Sequence, residues 1–267
     1  MTSGGEVLVE ACVDAIDSAL EAEKGGAGRI ELCGELLQGG VTPSAGLIAA
    51  VWERVEIPVF VLIRPRTGDF LYSHAECDVM LRDVEAAKSL DVDGIVIGAL
   101  TRVGDIDVGT MSRFIDAAGS MTVSFHRAFD FVRDQDVALE ALIELGVDRV
   151  LTSGGAATAL EGAAALARLV QQAAGRIVIL AGGSINATNV GDIVRASGVR
   201  EVHVRAAERI ESAMTHRRAD VTLARPQAVG DYERVVTAAR EVARVITAIG
   251  DDVTSGRAHT ASTHSLA

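Results

Sequence analysis

The sequence has few of the residues on which several classes of protein depend. Aromatic residues make up 3% of its 267 residues, and it contains only 4 prolines and 3 cysteines. An odd, low number of cysteines (Cys12, Cys33 and Cys77) does not build a disulfide framework, which indicates a reducing compartment. The hydrophobic 49% is therefore mainly Ala, Val, Leu and Ile, which fill parallel sheets and the helices packed on them.

Segments that direct a chain to membranes or export are also absent. Residues 1–6 have neither the basic stretch nor the apolar core of a secretory signal, and no apolar run approaches the roughly 20 residues of a membrane span. We therefore expect a cytoplasmic protein with no membrane partner. A formal net charge of −12 repels phosphate backbones, so we expect no nucleic-acid partner either.

The motifs of several common enzymes are missing. The only lysines, Lys24 and Lys88, lie in segments of helical period. Because no lysine lies on a predicted strand, a Schiff-base aldolase mechanism is not expected. No His-x-His or His-Glu-x-x-His motif occurs, which argues against a standard zinc hydrolase, and there is no Walker-type loop.

Short β-branched runs alternate along the chain with longer Ala- and Leu-rich segments of helical period. Eight such units of about 30 residues predict a parallel sheet that closes into a single-domain TIM (β/α)8 barrel. An open doubly wound sheet is the alternative, but it usually has fewer strands. The predicted strands are residues 7–11, 29–33, 58–64, 94–98, 121–126, 148–152, 176–181 and 201–204.

Two segments do not follow this rhythm. Residues 208–230 are too long for an ordinary loop and lack a clear period, which indicates a lid, a partner contact or partial disorder. Residues 251–267 are rich in Ser, Thr and His without periodicity, which indicates a disordered tail. We therefore assign the barrel to residues 1–250.

Charged residues within these apolar strands must face the barrel lumen, because the outer face packs against helices. Side chains alternate along a strand, so one inward residue fixes the direction of the others. Active sites of TIM barrels lie at the C-terminal ends of the strands, where these residues would converge. The predicted inward set is Glu10, Cys12, Glu31, Cys33, Arg64, Arg66, His126, His203 and Arg205, with either Thr152 or Ser153 from the sixth strand.

Two interpretations of this set remain open: a ligand or catalytic pocket, and a structural network of salt bridges. Glu10, Glu31, His126 and His203 are the candidate acid–base catalysts, although either histidine could be a hydrogen-bonded core residue. Arg64 and Arg66 could bind an anionic or hydroxylated small molecule, or could neutralise the two glutamates.

The cysteines and glycines also have two interpretations each. Cys12 and Cys33 could be small apolar fillers or a pair of soft sulfur ligands for Cu(I), whereas Cys77 is predicted to be structural. Gly182 and Gly183 end the seventh strand, where backbone N–H groups could bind an anion. A tight turn capped by Asn186 is the alternative.

Longer motifs resemble the CutC family. The run from Arg64 to Ser73 (RPRTGDFLYS) resembles a family signature, and residues 29–33, 39–44, 122–130 and 149–154 resemble further family motifs in the same order. The similarity extends from about residue 6 to residue 206. It implies a TIM barrel, a cytoplasmic homo-oligomer, in particular a dimer, and a role in copper homeostasis with Cys12 and Cys33 as Cu(I) ligands.

The predicted function is therefore Cu(I) binding in copper homeostasis. A barrel enzyme that acts on a small anionic or hydroxylated metabolite is the alternative, and a non-catalytic scaffold is a third hypothesis. Arg205 departs from the family pattern, which has a small serine there, and its charge could change the ligand. The candidate ligand-binding residues are Arg64, Arg66, Asp69, Arg127, Asp130, Thr152, Ser153, Gly182, Gly183 and Arg205.

Overall fold

The computed structural model describes residues 7–222 and 229–261. Eight parallel strands pair in chain order, and β1 also pairs with β8, which closes the barrel. The predicted TIM barrel is thereby confirmed. The strands are β1 (Leu8–Val13), β2 (Arg29–Leu32), β3 (Val59–Leu62), β4 (Gly94–Ile97), β5 (Thr122–Phe125), β6 (Arg149–Thr152), β7 (Val178–Gly182) and β8 (Glu201–Val204).

A helix follows each strand and packs on the outside of the barrel. Four of these helices begin at a side-chain cap, in which Ser44, Ser73, Asp107 or Asp134 accepts a hydrogen bond from a backbone N–H of the first turn. The helices are α1 (Ile16–Lys24), α2 (Ala45–Trp52), α3 (His74–Ser89), α4 (Val108–Ala118), α5 (Gln135–Glu144), α6 (Ala163–Ala173), α7 (Val190–Ser197) and α8 (Ala239–Ala261).

The two faces of the strands bury different residues. Outward side chains such as Ile30, Val61 and Ile95 belong to the large hydrophobic core between the strands and the helices. Inside the barrel, a smaller apolar cluster contains Cys33, Phe60, Leu62 and Val96, with Leu36 packed against it. The lumen is therefore only partly apolar, and the rest of its volume is left to polar side chains.

A small sheet follows the barrel where the sequence showed no clear period. Strands β9 (Ala207–Glu211) and β10 (Glu233–Thr237) form an antiparallel pair, and residues 223–228 between them lie outside the described residues. The side chains of β9 alternate between exposed and half-buried, so neither face is fully buried. Its sequence therefore lacks the apolar–polar alternation that predicts a strand.

The last helix extends beyond the predicted end of the barrel at residue 250. Helix α8 continues to Ala261, and residues 262–267 lie outside the described residues. The disorder of the tail over residues 251–267 stays a prediction. Within residues 7–222 and 229–261, no helix combines the length and the hydrophobicity that crossing a membrane requires.

Candidate functional site at the barrel mouth

A layer of buried ion pairs lies inside the barrel, below its mouth. Glu10 Oε2 accepts a hydrogen bond of 2.5 Å from Arg29 Nε, and Arg29 Nη2 donates one of 2.5 Å to Glu201 Oε2. Arg149 Nε lies 3.3 Å from the same Glu201 oxygen. The guanidinium carbons of both arginines lie 5.0 Å from the ring centre of Phe60. We call Glu10, Arg29, Arg149 and Glu201 the polar layer.

Three members of the polar layer were not among the inward-facing residues predicted from the sequence. Arg29, Arg149 and Glu201 lie at the first positions of β2, β6 and β8. A signal was present, because Arg29 shares its parity with Glu31, and Glu201 shares its parity with His203. A network of buried salt bridges, one of the two interpretations of the sequence, is present. The arginine that neutralises Glu10 in it is Arg29, and not Arg64 or Arg66 as expected.

Above this layer, His203 joins the two predicted glutamates. Its Nδ1 lies 2.7 Å from Glu10 Oε1 and 3.9 Å from Glu31 Oε2. Burial raises the pKa of Glu10, but the hydrogen bond with His203 and the charge of Arg29 lower it to about 2. Burial alone lowers the pKa of His203, but the charges of Cys12 and Glu31 and hydrogen bonds to Cys12 and Glu10 raise it well above its ordinary value.

The second glutamate, Glu31, has fewer hydrogen-bond partners than Glu10. Burial and the charge of Glu10 raise the pKa of Glu31. Its Oε1 accepts a hydrogen bond of 3.3 Å from the Cys33 thiol, whereas its buried Oε2 has no hydrogen-bond partner. Glu31 therefore keeps one free acceptor at the base of the mouth.

The two predicted metal-binding cysteines lie on neighbouring strands. Cys12 pairs in register with Glu31, and Cys33 follows two residues further along the chain, so the cysteines are diagonal neighbours on one face. Cys12 lines the mouth cavity, and Cys33 is fully buried. Burial and the charge of Glu31 raise the pKa of the Cys33 thiol well above its ordinary value.

One group of three potential metal ligands occurs in the described part of the chain. One ligand atom from each of Glu10, Glu31 and His203 lies within 4.8 Å of the others. Oxygen and nitrogen ligands suit divalent ions better than Cu(I), which prefers sulfur. Glu10 is already bonded to Arg29 and His203, so this group also has a purely structural explanation.

A cavity of about 200 Å³ opens above these groups, and an outer cavity of about 610 Å³ adjoins it. The two share Gly39, Arg64, Phe70 and Arg127 in their walls, which makes them the inner and outer parts of one mouth cavity. The inner part is lined by Cys12, Glu31, Leu36, Gly39, Leu62, Arg64, Phe70, His126, Arg127, Leu151, His203 and Arg205.

Arg64 and His126 are the most deeply buried polar residues in the wall from β3 and β5. Arg64 donates through its two Nη atoms to the carbonyl oxygens of Gly39, Gly40 and Gly68, and its buried Nε has no partner. His126 Nδ1 accepts a hydrogen bond of 3.2 Å from the N–H of Ala128. The proton of the neutral ring is therefore on Nε2, which has no partner. Burial and the charge of Arg64 lower the pKa of His126 to about 3.

Arg66 does not line either part of the mouth cavity, contrary to the strand-parity prediction. Its Nε donates a hydrogen bond of 2.5 Å to Glu76, and its Nη2 donates one of 3.2 Å to Asp69. The prediction failed because β3 ends at Leu62, so the alternation of a strand no longer applies at residue 66. Asp69 lines the outer cavity with its side chain largely exposed.

Asp130 fastens the end of β5 to the loop after β6. Its Oδ1 accepts hydrogen bonds from the Thr152 hydroxyl at 2.5 Å and the Ser153 N–H at 3.0 Å, and its Oδ2 accepts one of 2.7 Å from Arg127 Nε. Since Leu151 lines the cavity, alternation directs Thr152 away from the lumen. Asp130 and Thr152 thus position Arg127, which itself lines the cavity.

The glycines at the end of β7 have a packing role. A Cβ on Gly182 would lie 2.5 Å from Leu151 Cδ1. Gly183 has a φ of +114°, and a Cβ there would lie 3.1 Å from Ser153 Cβ. Neither glycine lines the mouth cavity. Asn186 Oδ1 accepts a hydrogen bond from the Thr188 N–H. This bond closes a turn capped by Asn186, the alternative predicted from the sequence.

Arg205 extends from the end of β8 into the wall of the inner cavity. In the part of the chain that the structure describes, its guanidinium has neither an ion-pair nor a hydrogen-bond partner, and only its carbonyl is bonded, to the Thr237 hydroxyl. The mouth of this acidic chain therefore presents positive charge from Arg64, Arg127 and Arg205.

A closed barrel of eight parallel strands, with titratable residues converging at the carboxyl ends of those strands, defines a TIM-barrel protein with a candidate site at its mouth. The CutC family model matches residues 7–208. The chain belongs to the CutC family.

Relatives of known name cover nearly the whole chain. A copper homeostasis protein cutC homolog of Mus musculus is 46% identical over 94% of this chain and 92% of its own length. The Homo sapiens homolog is 45% identical over 92% and 90%, respectively. These similarities support a role in copper homeostasis.

Solved structures agree with the fold. The crystal structure of a CutC protein from Streptococcus agalactiae matches with a TM-score of 0.72 and 32% identity, over 74% of this chain and 98% of that one. A thiamine phosphate pyrophosphorylase from Pyrococcus furiosus matches with a TM-score of 0.55 over 92% and 96%, but its 14% identity indicates the shared fold alone.

Proposed function

We propose that this protein binds Cu(I) as part of copper homeostasis, with the sulfur atoms of Cys12 and Cys33 as ligands. The observation that carries the proposal is the position of the two cysteines, diagonally opposed on β1 and directly after β2, on the inward face and at the mouth end of the barrel. Thiolates are the soft ligands that Cu(I) prefers. The copper homeostasis names of the mouse and human relatives support the same assignment.

Proton release would accompany binding at this site. The Cys33 thiol donates to Glu31, and its pKa is raised by burial and by that negative charge, so the thiol is protonated before a metal arrives. A metal ion has to displace this proton, which makes the affinity lower in acid. His203, which lies on the neighbouring strand β8 and lines the same cavity as Cys12, is the histidine that could serve as a third ligand.

The test is a Cu(I) titration under reducing conditions against the chelator bathocuproine disulfonate. We expect the wild-type protein to compete for one Cu(I), and the Cys12→Ser/Cys33→Ser double variant to lose this competition. Cys77→Ser is the matched control, because Cys77 is also a buried cysteine but lies in α3. Equal binding by the wild type and the double variant, or no binding by either, would contradict the proposal.

We also propose that this protein is cytoplasmic and forms a homodimer. All three cysteines are free and buried, which suits a reducing compartment. Light scattering coupled to size-exclusion chromatography would measure the mass of the particle in solution. A monomeric mass across the micromolar range would contradict the dimer, and localisation of a fluorescent fusion outside the cytoplasm would contradict the compartment.

A further inference from the structure

The wall of the mouth cavity contains polar side chains in addition to the cysteines of the proposed Cu(I) site. Three residues in its wall each have a buried side-chain atom without a hydrogen-bond partner in the described structure: Glu31 through Oε2, Arg64 through Nε and His126 through Nε2. These residues are only 6%, 7% and 6% exposed, respectively. Buried polar groups are rarely left unpaired, because each one has lost its hydration without gaining a new hydrogen bond. The two unpaired N–H donors among them, Arg64 Nε and His126 Nε2, indicate a ligand that carries hydrogen-bond acceptors.

The charge of the wall indicates that this ligand is an anion. Three arginines (Arg64, Arg127 and Arg205) line the inner cavity, and Glu31 is the one carboxylate among its lining residues. Arg205 has no partner for its guanidinium among the described residues, in a chain whose net charge is −12. An unpaired guanidinium fork at a cavity wall is suited to an acid group.

The carboxylates below the cavity favour a carboxylate ligand over a phosphate. Arg127 uses the N–H of Nε on Asp130 and one N–H of Nη2 on Ser153, and Arg64 uses three of its five N–H groups on glycine carbonyls, so both guanidinium groups are partly occupied. Arg205 therefore supplies the one complete fork. A carboxylate carries one negative charge, whereas a phosphate dianion carries two and would be repelled more strongly by Glu31 and Glu10 below.

Apolar side chains surround the remaining space. Leu36, Leu62, Leu151 and Phe70 contribute to the inner wall. Phe131 continues this surface into the outer cavity, where its ring centre lies 5.5 Å from that of Phe70 while its side chain is otherwise exposed. A ligand that reaches from the arginines to these rings must have an apolar body as well as an acid group.

We infer that the mouth cavity binds a small monocarboxylic acid with an apolar or aromatic body. Its carboxylate lies at Arg205 and Arg127, and its body lies against Phe70 and Leu62. This site lies in the same inner cavity as Cys12 but uses different residues from the two-sulfur site proposed for Cu(I), because neither Arg205 nor Arg127 can bind a metal ion. The protein thus has the means to recognise an organic acid.

Ligand-observed NMR and calorimetry on the metal-free full chain provide the test, with benzoate and 3-phenylpropanoate as probes. Benzyl alcohol lacks the charge, and phenyl phosphate replaces the carboxylate by a dianion. We expect at least one carboxylate to bind at millimolar concentration and both comparison compounds to bind about tenfold more weakly. Arg205→Gln should weaken carboxylate binding by about tenfold, whereas Arg244→Gln on α8 should leave it unchanged.

Three results would overturn the inference: no binding of either carboxylate, equal binding by the Arg205→Gln protein, or equal binding of benzyl alcohol. Tighter binding of phenyl phosphate would overturn the choice of a carboxylate. The Cys12→Ser/Cys33→Ser protein separates this inference from the copper proposal. It should keep its carboxylate binding whether or not the wild type binds Cu(I), so either proposal can fail alone.

Discussion

The polar layer and the mouth cavity contain similar residues but use them differently. In the polar layer, two glutamates and two arginines balance one another, and Arg29 bonds to both carboxylates at 2.5 Å. In the mouth cavity, three arginines face one glutamate, and Glu31, Arg64 and His126 each keep an unpaired buried atom. The charges of the first arrangement are balanced within the chain. In the second, of the three arginines only Arg127 has an ion-pair partner among the described residues, Asp130.

This difference separates structural charges from functional ones. A buried charge inside a barrel is not by itself a sign of catalysis, because Arg29, Glu10 and Glu201 neutralise each other below the mouth. The informative signal is an unpaired group in a cavity wall. Arg149 also keeps unpaired nitrogens, but it does not line the mouth cavity. Glu10 belongs to both arrangements, since it bonds to Arg29 below and to His203 above.

Breaking the polar layer should have the largest effect on stability. Arg29→Met removes the cation shared by Glu10 and Glu201, and we expect it to lower the free energy of unfolding by about 3–5 kcal/mol. Chemical denaturation followed by circular dichroism measures this change. Arg244→Met, an exposed arginine on α8, is the control and should shift it by less than about 0.5 kcal/mol. A loss of similar size in both variants would contradict the structural role of the layer.

The pH dependence of stability should report the environment of His126. Its pKa is about 3 in the folded protein against an ordinary value of 6.5, so only the unfolded chain takes up a proton between these values. The stability contributed by its neutral ring is complete above pH 6.5 and falls by about 1.4 kcal/mol per pH unit as the pH drops towards 3. Denaturation curves between about pH 6 and 5, below the pKa of the unfolded ring, should show this slope.

His126→Asn should remove this part of the slope, because it removes the titrating ring that faces Arg64. His74→Asn is the control, since His74 is exposed at the start of α3. His203 has a raised pKa, so its contribution is complete below the unfolded value of 6.5, is lost as the pH rises above it, and hardly changes between about pH 6 and 5. An unchanged acid slope in His126→Asn would show that other groups cause it.

The smallest effect on stability is expected at the mouth. Because the Arg205 guanidinium has no partner among the described residues, Arg205→Gln should change the free energy of unfolding by less than about 0.5 kcal/mol. The same denaturation experiment measures it. A loss above about 1 kcal/mol would mean that Arg205 supports the fold and would remove the contrast between the two regions.

The fold could be predicted because its signal repeats. Eight apolar runs alternating with helical segments are compatible with few other folds. Each observed strand begins and ends within a few residues of its predicted bounds. The inward direction of Glu10, Glu31, His203 and Arg205 also followed from alternation, since these residues lie on strands or next to them. The β9–β10 pair could not be found in this way, because it buries too little on either face.

Alternation fails where the strands end. Arg66 follows Pro65 in a loop, and its hydrogen bonds with Glu76 and Asp69 direct it away from the mouth cavity. The role of Asp130 depends on contacts with the loop after β6, which no sequence period encodes. Contacts between residues far apart in the chain thus decide which candidate residues line the cavity.

The pairing of β1 with β8 has a consequence for how the protein is made. Glu10 and His203 are hydrogen-bonded, yet they are 193 residues apart in the chain. A ribosome that adds 5–20 residues per second would therefore produce them about 10 to 40 seconds apart. Over that interval the nascent chain carries Glu10 without its histidine, so the mouth of the barrel is complete only after the eighth strand has left the ribosome.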